Sequence, residues 1–303
     1  FSTGGSPPPP PRIFPPQMTT RLDHVLLVCQ SIDEGEEAYS RLLGREPDWR
    51  HNDPGGAGSV TFQLENMALE LMAPTGGGPV ARRLHNMIDN DGEGLKSLIF
   101  GTDDIHLTHA VLQRRGLRPD EPTDAESVDP YTGRVRSWTR FRLDDPATFG
   151  VRMFVLQRRA NDPLVCRPSV DSAVTSLDHV VVNTPQPDRA AALYGARLGF
   201  RLALDRSNPD WDMRLQFFRT GDLTIELAHK LSAGVSERPD RLWGLSWRVP
   251  DIEAAHARMS DANLPVSAIR QGRKAGTRVF SVRDGAMNTP TLILASEPAS
   301  TGP

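Results

Sequence analysis

Residues 177–200, LDHVVVNTPQPDRAAALYGARLGF, decide the fold. An apolar run leads into a turn with two prolines, then into a helix that stops at Gly199, the residue type favoured just beyond a helix end. The same order stands 155 residues earlier. Leu22-Asp23-His24-Val25 matches Leu177-Asp178-His179-Val180, and Tyr39, Leu43 and Gly44 match Tyr194, Leu198 and Gly199. Leu69-Glu70-Leu71 returns as Ile225-Glu226-Leu227, one residue later in register. In the first copy, Ser31 with Glu34 three residues on forms a capping-box pattern. Three further extended runs follow in each copy, 48–52, 59–65 and 67–73, then 201–206, 213–220 and 223–229. Each unit reads β-α-β-β-β.

A weaker echo follows each copy. Residues 98–101, 104–115, 136–143 and 151–157 read as strand, helix, strand and strand, and 245–249, 251–262, 278–283 and 291–295 repeat them. Asn263 takes the place of Gly116, a swap that the left-handed cap tolerates. The chain is therefore four βαβββ modules in two pairs. A lone module exposes the inner face of its sheet, so each pair is expected to close into a half-barrel of eight strands around a cup, an α+β fold. The expected domains are residues 20–158 and 176–297. The turn-rich stretch 159–175 serves as linker and 298–303 as a tail. Residues 1–19, with seven prolines in the first 17, are expected to be an extended, disordered leader. They lack the basic start and apolar core of a signal peptide, and Met18 offers an alternative start, in which case the leader is foreign to the protein.

At 303 residues the length suits two domains. A net charge of −3 and a pI near 6.3 disfavour nucleic acid as a partner. No apolar run is long enough to span a membrane. Two cysteines, Cys29 and Cys166, cannot build a disulfide framework and fit a reduced, cytoplasmic protein.

A two-domain chain of such modules, opening on Leu-Asp-His-Val and closing on a Leu-Glu-Leu strand, resembles the vicinal oxygen chelate superfamily. That superfamily holds glyoxalases, epimerases, extradiol and hydroxyphenylpyruvate dioxygenases, and bleomycin- and fosfomycin-resistance proteins. The resemblance implies a histidine on a module's first strand and a glutamate on its last, holding a divalent ion (Fe, Mn, Ni, Co or Zn) that binds two neighbouring substrate oxygens. Carried onto this sequence, the ligands are His24 and Glu70 in one half and His179 and Glu226 in the other. The even modules break the pattern: the spacing that gives His24 lands on Ser97 and Gly244, and their closing strands carry no acid. Each cup then supplies half a site, which His51 or His85 would have to complete.

Two functional readings follow. In one the protein is a metal-dependent dioxygenase or lyase/isomerase acting on a small molecule. In the other it is a metal-free binding protein, its cups lined by Trp211, Trp243 and Trp247. A carboxylate flanked by apolar residues tends to be raised in pKa, which also makes Glu70 and Glu226 candidate catalytic bases without a metal. Arg136, Trp138, Arg140 and Arg142 share one strand face, and Trp138 and Arg140 are expected to contact substrate. Paired modules of this kind often dimerise, so a homodimer is expected.

Overall fold

The computed structural model describes residues 20–160, 164–167, 170–284 and 286–297. The leader and the tail therefore lie outside the described residues. The first half forms β1 (Thr20–Val28), β2 (Trp49–Asp53), β3 (Ala57–Gln63), β4 (Ala68–Pro74), β5 (Gly94–Thr102), β6 (Thr123–Val128), β7 (Val135–Arg142) and β8 (Arg152–Arg158). The second forms β9 (Ser176–Asn183), β10 (Arg201–Asn208), β11 (Met213–Thr220), β12 (Leu223–Lys230), β13 (Arg241–Arg248), β14 (Arg270–Gln271), β15 (Thr277–Val282) and β16 (Thr291–Ser296). The sheet orders are β2-β3-β4-β1-β5-β8-β7-β6 and β10-β11-β12-β9-β13-β16-β15-β14. Consecutive modules pair, and the central strands, β1 with β5 and β9 with β13, run antiparallel. Strands β6 and β14 complete the even modules; their exposed, polar sequences left them unread.

Four helices repeat in place: α1 (Ile32–Leu43), α3 (Ile105–Arg114), α4 (Pro187–Ala191, continued as a wider turn to Arg197) and α5 (Ile252–Asp261). A fifth, α2 (Pro79–Asp91), is confined to the first half. Local chemistry fixes the ends. The side chains of Ser31, Asp104 and Asp251 each accept a backbone N–H at a helix start. Gly44, Gly116, Gly199 and Asn263 all sit at positive φ, from 58° to 81°, so asparagine does replace glycine at the fourth cap.

The repeated helices pack between the two sheets, and one buried apolar cluster runs through both halves. Phe100 meets Phe200 at 5.3 Å, the Tyr39 hydroxyl donates to Ala286 O, and Arg258 donates to Leu42 O. The end of the linker joins this core, for Ala173 and Val174 are buried and Val174 N–H donates to Leu43 O. Cys29 is also enclosed. Burial, with the nearby charges of Glu93 and Glu34, pushes its thiol up to about 12. A thiol reagent should therefore titrate Cys166 alone in the native protein and both cysteines after unfolding; two fast thiols would contradict this packing.

The cups face away from the helices, and they differ. In the first, the outer strands β2 and β6 meet. Trp49 Nε1 donates to Ser127 Oγ at 2.7 Å, and His51 Nδ1 lies 3.1 Å from Val128 O. Helix α2 lies across the inner face, its Val80, Leu84, Met87 and Ile88 packed on Leu26, Val28, Ala57 and Met72. The two glycine clusters dock it: a Cβ on Gly56 would stand 2.5 Å from Gly77 O, and one on Gly78 2.4 Å from Gly55 O. In the second half, β10 is exposed along almost its whole length and β14 is only two residues long. No bridge joins them among the described residues.

Candidate functional site

Strand alternation sets the floor of the second cup. Val180 and Val182 point to the helices, so His179 and Val181 point into the cup. β12 runs parallel to β9 and brings Glu226 beside Val181. β13 runs antiparallel and sets Ser246 opposite His179. His179 Nδ1 lies 2.8 Å from Asp178, and Asp178 accepts from Arg248 Nε at 2.7 Å. His179 Nε2 lies 2.7 Å from Ser246 Oγ and 3.3 Å from Glu226 Oε2. The first cup repeats the chain at His24: Nδ1 is 2.8 Å from Asp23 and Nε2 is 3.2 Å from Glu70. Its arginine has a different origin. Arg158 on β8 grips Asp23, because the position equivalent to Arg248 is Gly101, where a Cβ would lie 3.4 Å from the Asp23 side chain.

These contacts assign protons. A carboxylate only accepts, so each Nδ1 donates to its aspartate. Nε2 of a neutral ring is then also an acceptor. At His24 its approach to Glu70 requires a shared proton, so that pair is either imidazolium with carboxylate or imidazole with carboxylic acid; at His179 the nearer Ser246 hydroxyl can donate to Nε2. The two halves settle differently. Burial opposes charge on Glu70 and His24. Their mutual hydrogen bond and charges, with Arg158 and Asp23, outweigh it, so Glu70 is held below its usual range and His24 above. The first pair is an ion pair. In the second cup burial raises the Glu226 carboxyl, and the charges of His179 and Arg273 offset this only in part. Asp178, despite burial, is pulled down to about 2 by His179 and Arg248. Of the two glutamates, Glu226 is thus the one that holds a proton more readily.

Glu226, His179 and Ser246 line a cavity of about 1640 Å³ in the second cup, larger than the usual few hundred to 1,000 Å³ of a ligand site. Trp211 and Trp243 also line it. Trp247 does not: it is fully buried on the helix side, which corrects its reading as a pocket residue. Trp138 and Arg140 lie on the cup face of the first sheet, paired to β6 and β8, and are not part of this cavity. His51 is taken up by Val128 O at the seam, and His85 is exposed on α2, so neither completes a ligand set. Gly244 and Ser97 stand where spacing placed them, but the residues that face the histidines are Ser246 and Ile99. Ser246 and Arg248 were missed. The alternation Gly244-Leu245-Ser246-Trp247-Arg248, with apolar residues on one face, is the signal that would have found them.

A resident divalent ion does not fit these donors. The second cup offers one imidazole, one carboxylate and a neutral hydroxyl. The resemblance implies two histidines with a carboxylate, or four ligands. Among the described residues, no three His, Cys, Asp or Glu side chains converge on one point. Arg248 and Arg273 add positive charge that opposes a cation there.

Fold and site together define a protein of paired βαβββ half-barrels, each with a histidine and a glutamate on its floor. The comparisons with known proteins agree. Residues 22–176 match the glyoxalase-like domain family, and residues 178–280 match the glyoxalase/bleomycin resistance protein/dioxygenase superfamily. The chain belongs to that superfamily. Solved structures share the fold across nearly the whole chain. A variant of 4-hydroxymandelate synthase from Streptomyces coelicolor is 14% identical with a TM-score of 0.65, covering 94% of this chain and 95% of its own. The Mn(II)-bound glyoxalase from Novosphingobium aromaticivorans is 13% identical with a TM-score of 0.61, covering 92% and 82%. An extradiol ring-cleaving dioxygenase from B. fuscum is 16% identical with a TM-score of 0.57, covering 93% and 73%. Comparison with curated protein sequences finds no match.

Proposed function

We propose that the second cup binds a small molecule and that Glu226 transfers a proton on it without a resident metal, as an isomerase or epimerase would. The observation that carries this is the raised Glu226 carboxyl, 3.3 Å from His179 Nε2 on the floor of a wide cavity. Glu226, as carboxylate, takes a proton from a carbon beside a carbonyl and returns it to the same or a neighbouring atom. His179 is the positioning partner: Asp178 and Arg248 fix its ring, and its Nε2 takes up or gives back the proton that Glu226 exchanges. The first cup, its pair locked as ions and its inner face crossed by α2, is assigned a structural role. The bounds 20–158 and 176–297 are part of the same proposal.

The test is hydrogen exchange in deuterated water, followed by NMR, over a set of 2-oxo acids, 2-hydroxy ketones and branched acyl thioesters. Exchange of an α-proton by the purified chain, unchanged after exhaustive chelation, is the expected result. Exchange that disappears on chelation and returns with Mn(II), Fe(II), Ni(II), Co(II) or Zn(II) would replace this reading by a metal-dependent one.

A further inference from the structure

Two features of the second cup extend beyond its histidine and glutamate. The first is an apolar shelf made of Val181, Leu215 and Ala228, with Met213 and Phe217 packed on it. Val181 lies two residues beyond His179, as Leu26 lies beyond His24, and Ala228 lies two beyond Glu226, as Met72 lies beyond Glu70. In the first half Leu26 and Met72 are covered by the apolar face of α2. The second half has only a short turn, Leu231–Ala233, at that point of the chain. The shelf that the first half covers with its own helix is thus open to the cavity, and Val181, Leu215 and Phe217 line it.

The second feature is charge. Arg206, Arg219, Arg270, Arg273, Lys274 and Arg283 all line the cavity, and all are exposed. Among the described residues none of the six forms an ion pair, although the acids elsewhere on this half are mostly taken up, Asp205 and Asp188 by Arg214 and Glu253 by Arg278. Of the lining acids, Asp178 is neutralised by Arg248, Glu226 lies on the floor, and Asp284 alone remains at the rim. Two of the arginines are held in place. The guanidinium of Arg273, from the loop after β14, lies 4.7 Å from the centre of the Trp211 ring, and that of Arg206, from β10, lies 5.5 Å from it. Trp211 therefore draws cations from opposite edges of the sheet to one point at the mouth. Solvated arginines on a convex surface spread apart. Six like charges around a concavity raise its potential and draw anions in.

We propose that the ligand of the second cup is an amphipathic anion. Its apolar body lies on the Val181–Leu215–Ala228 shelf, where α2 lies in the other half, and its carboxylate or phosphate ester is held by Arg206 and Arg273. The proposal rests on the second cup being the ligand site, and not on what Glu226 does there.

The test is fluorescence titration of the full chain with two probes that differ by one charge, 8-anilinonaphthalene-1-sulfonate and its uncharged parent N-phenyl-1-naphthylamine. The sulfonate should bind at least about tenfold more tightly than the parent at low salt, the margin shrinking as salt is added. The double substitution Arg206→Gln with Arg273→Gln should cut the margin several-fold, the other four cations keeping the remainder, and leave parent binding unchanged. Both side chains are exposed, so the melting temperature should hold. Equal affinity for the two probes, or a margin unchanged by the double substitution, would overturn the anion site. Failure of both probes to bind would overturn the shelf. Probe binding of the expected kind with no α-proton exchange would remove the Glu226 reading and leave this one standing.

Discussion

Replacing Glu226 by glutamine should abolish α-proton exchange, with a loss on the order of 10²–10⁴-fold, the usual contribution of a positioned acid or base. The change keeps the shape of the side chain and removes its capacity to accept and return a proton. His179→Ala should act in the same direction, because the ring that stands 3.3 Å from Glu226 is lost. Glu70→Gln should leave exchange untouched, since Glu70 belongs to the other cup, where it is held as a carboxylate by His24 and Arg158. The measurement is the deuterium incorporation rate of the four proteins at one pH. Equal losses from Glu70→Gln and Glu226→Gln would show that the second cup is not special. Wild-type exchange in Glu226→Gln would remove this carboxylate from the chemistry altogether.

The largest effect on stability should come from the first cup. His24→Ala leaves two carboxylates, Asp23 and Glu70, with Arg158 as the cation beside them. Removing one member of a buried pair costs about 3–5 kcal/mol. Glu70 retains 24% of its side-chain exposure, which lowers the expectation to about 2–3 kcal/mol, a fall of several degrees in Tm. His179→Ala should cost less, because the raised Glu226 can take up a proton and become neutral. Differential scanning calorimetry of the two variants decides it, and equal falls would contradict the contrast between the cups.

The same pair gives a pH dependence with a definite sign. Glu70 is lowered from its ordinary 4.5 on folding, so its stabilisation is present above pH 4.5 and is lost as pH falls through the folded value. His24 is raised from 6.5, so its stabilisation is full below pH 6.5 and is lost as pH rises through the folded value. Wild-type stability relative to His24→Ala should therefore be greatest between about pH 4.5 and 6.5 and shrink on either side. A difference that is flat from pH 4 to 9 would mean that the pair is not ionic.

The sequence alone determined the modules, their number and the histidine and glutamate on the floor of each cup. Those features rest on local rules: alternation along strands, caps at helix ends, and a repeat that sets Leu-Asp-His-Val and an apolar-flanked glutamate at offsets that differ by one residue between the halves. Leu69-Glu70-Leu71 and Ile225-Glu226-Leu227 point their glutamates inward because their neighbours must point outward. Which strands would lie side by side was open, and the sheets settled it. Ser246 reaches His179 because β13 runs antiparallel to β9 in that register, a relation between residues 67 apart in the chain. Arg158 replaces an arginine that Gly101 cannot supply, and only the pairing of β5 with β8 brings it to Asp23.

The difference between the two cups was decided still later. His24–Glu70 and His179–Glu226 are nearly identical as sequence. One became an ion pair because Arg158 and Asp23 favour its charges. In the other, the Glu226 carboxyl is raised because burial outweighs what His179 and Arg273 supply. Nothing local in residues 76–94 showed that their helix would cover the first shelf and leave the second open. Burial and charge balance are sums over residues far apart in sequence, so they exist only once the chain has folded.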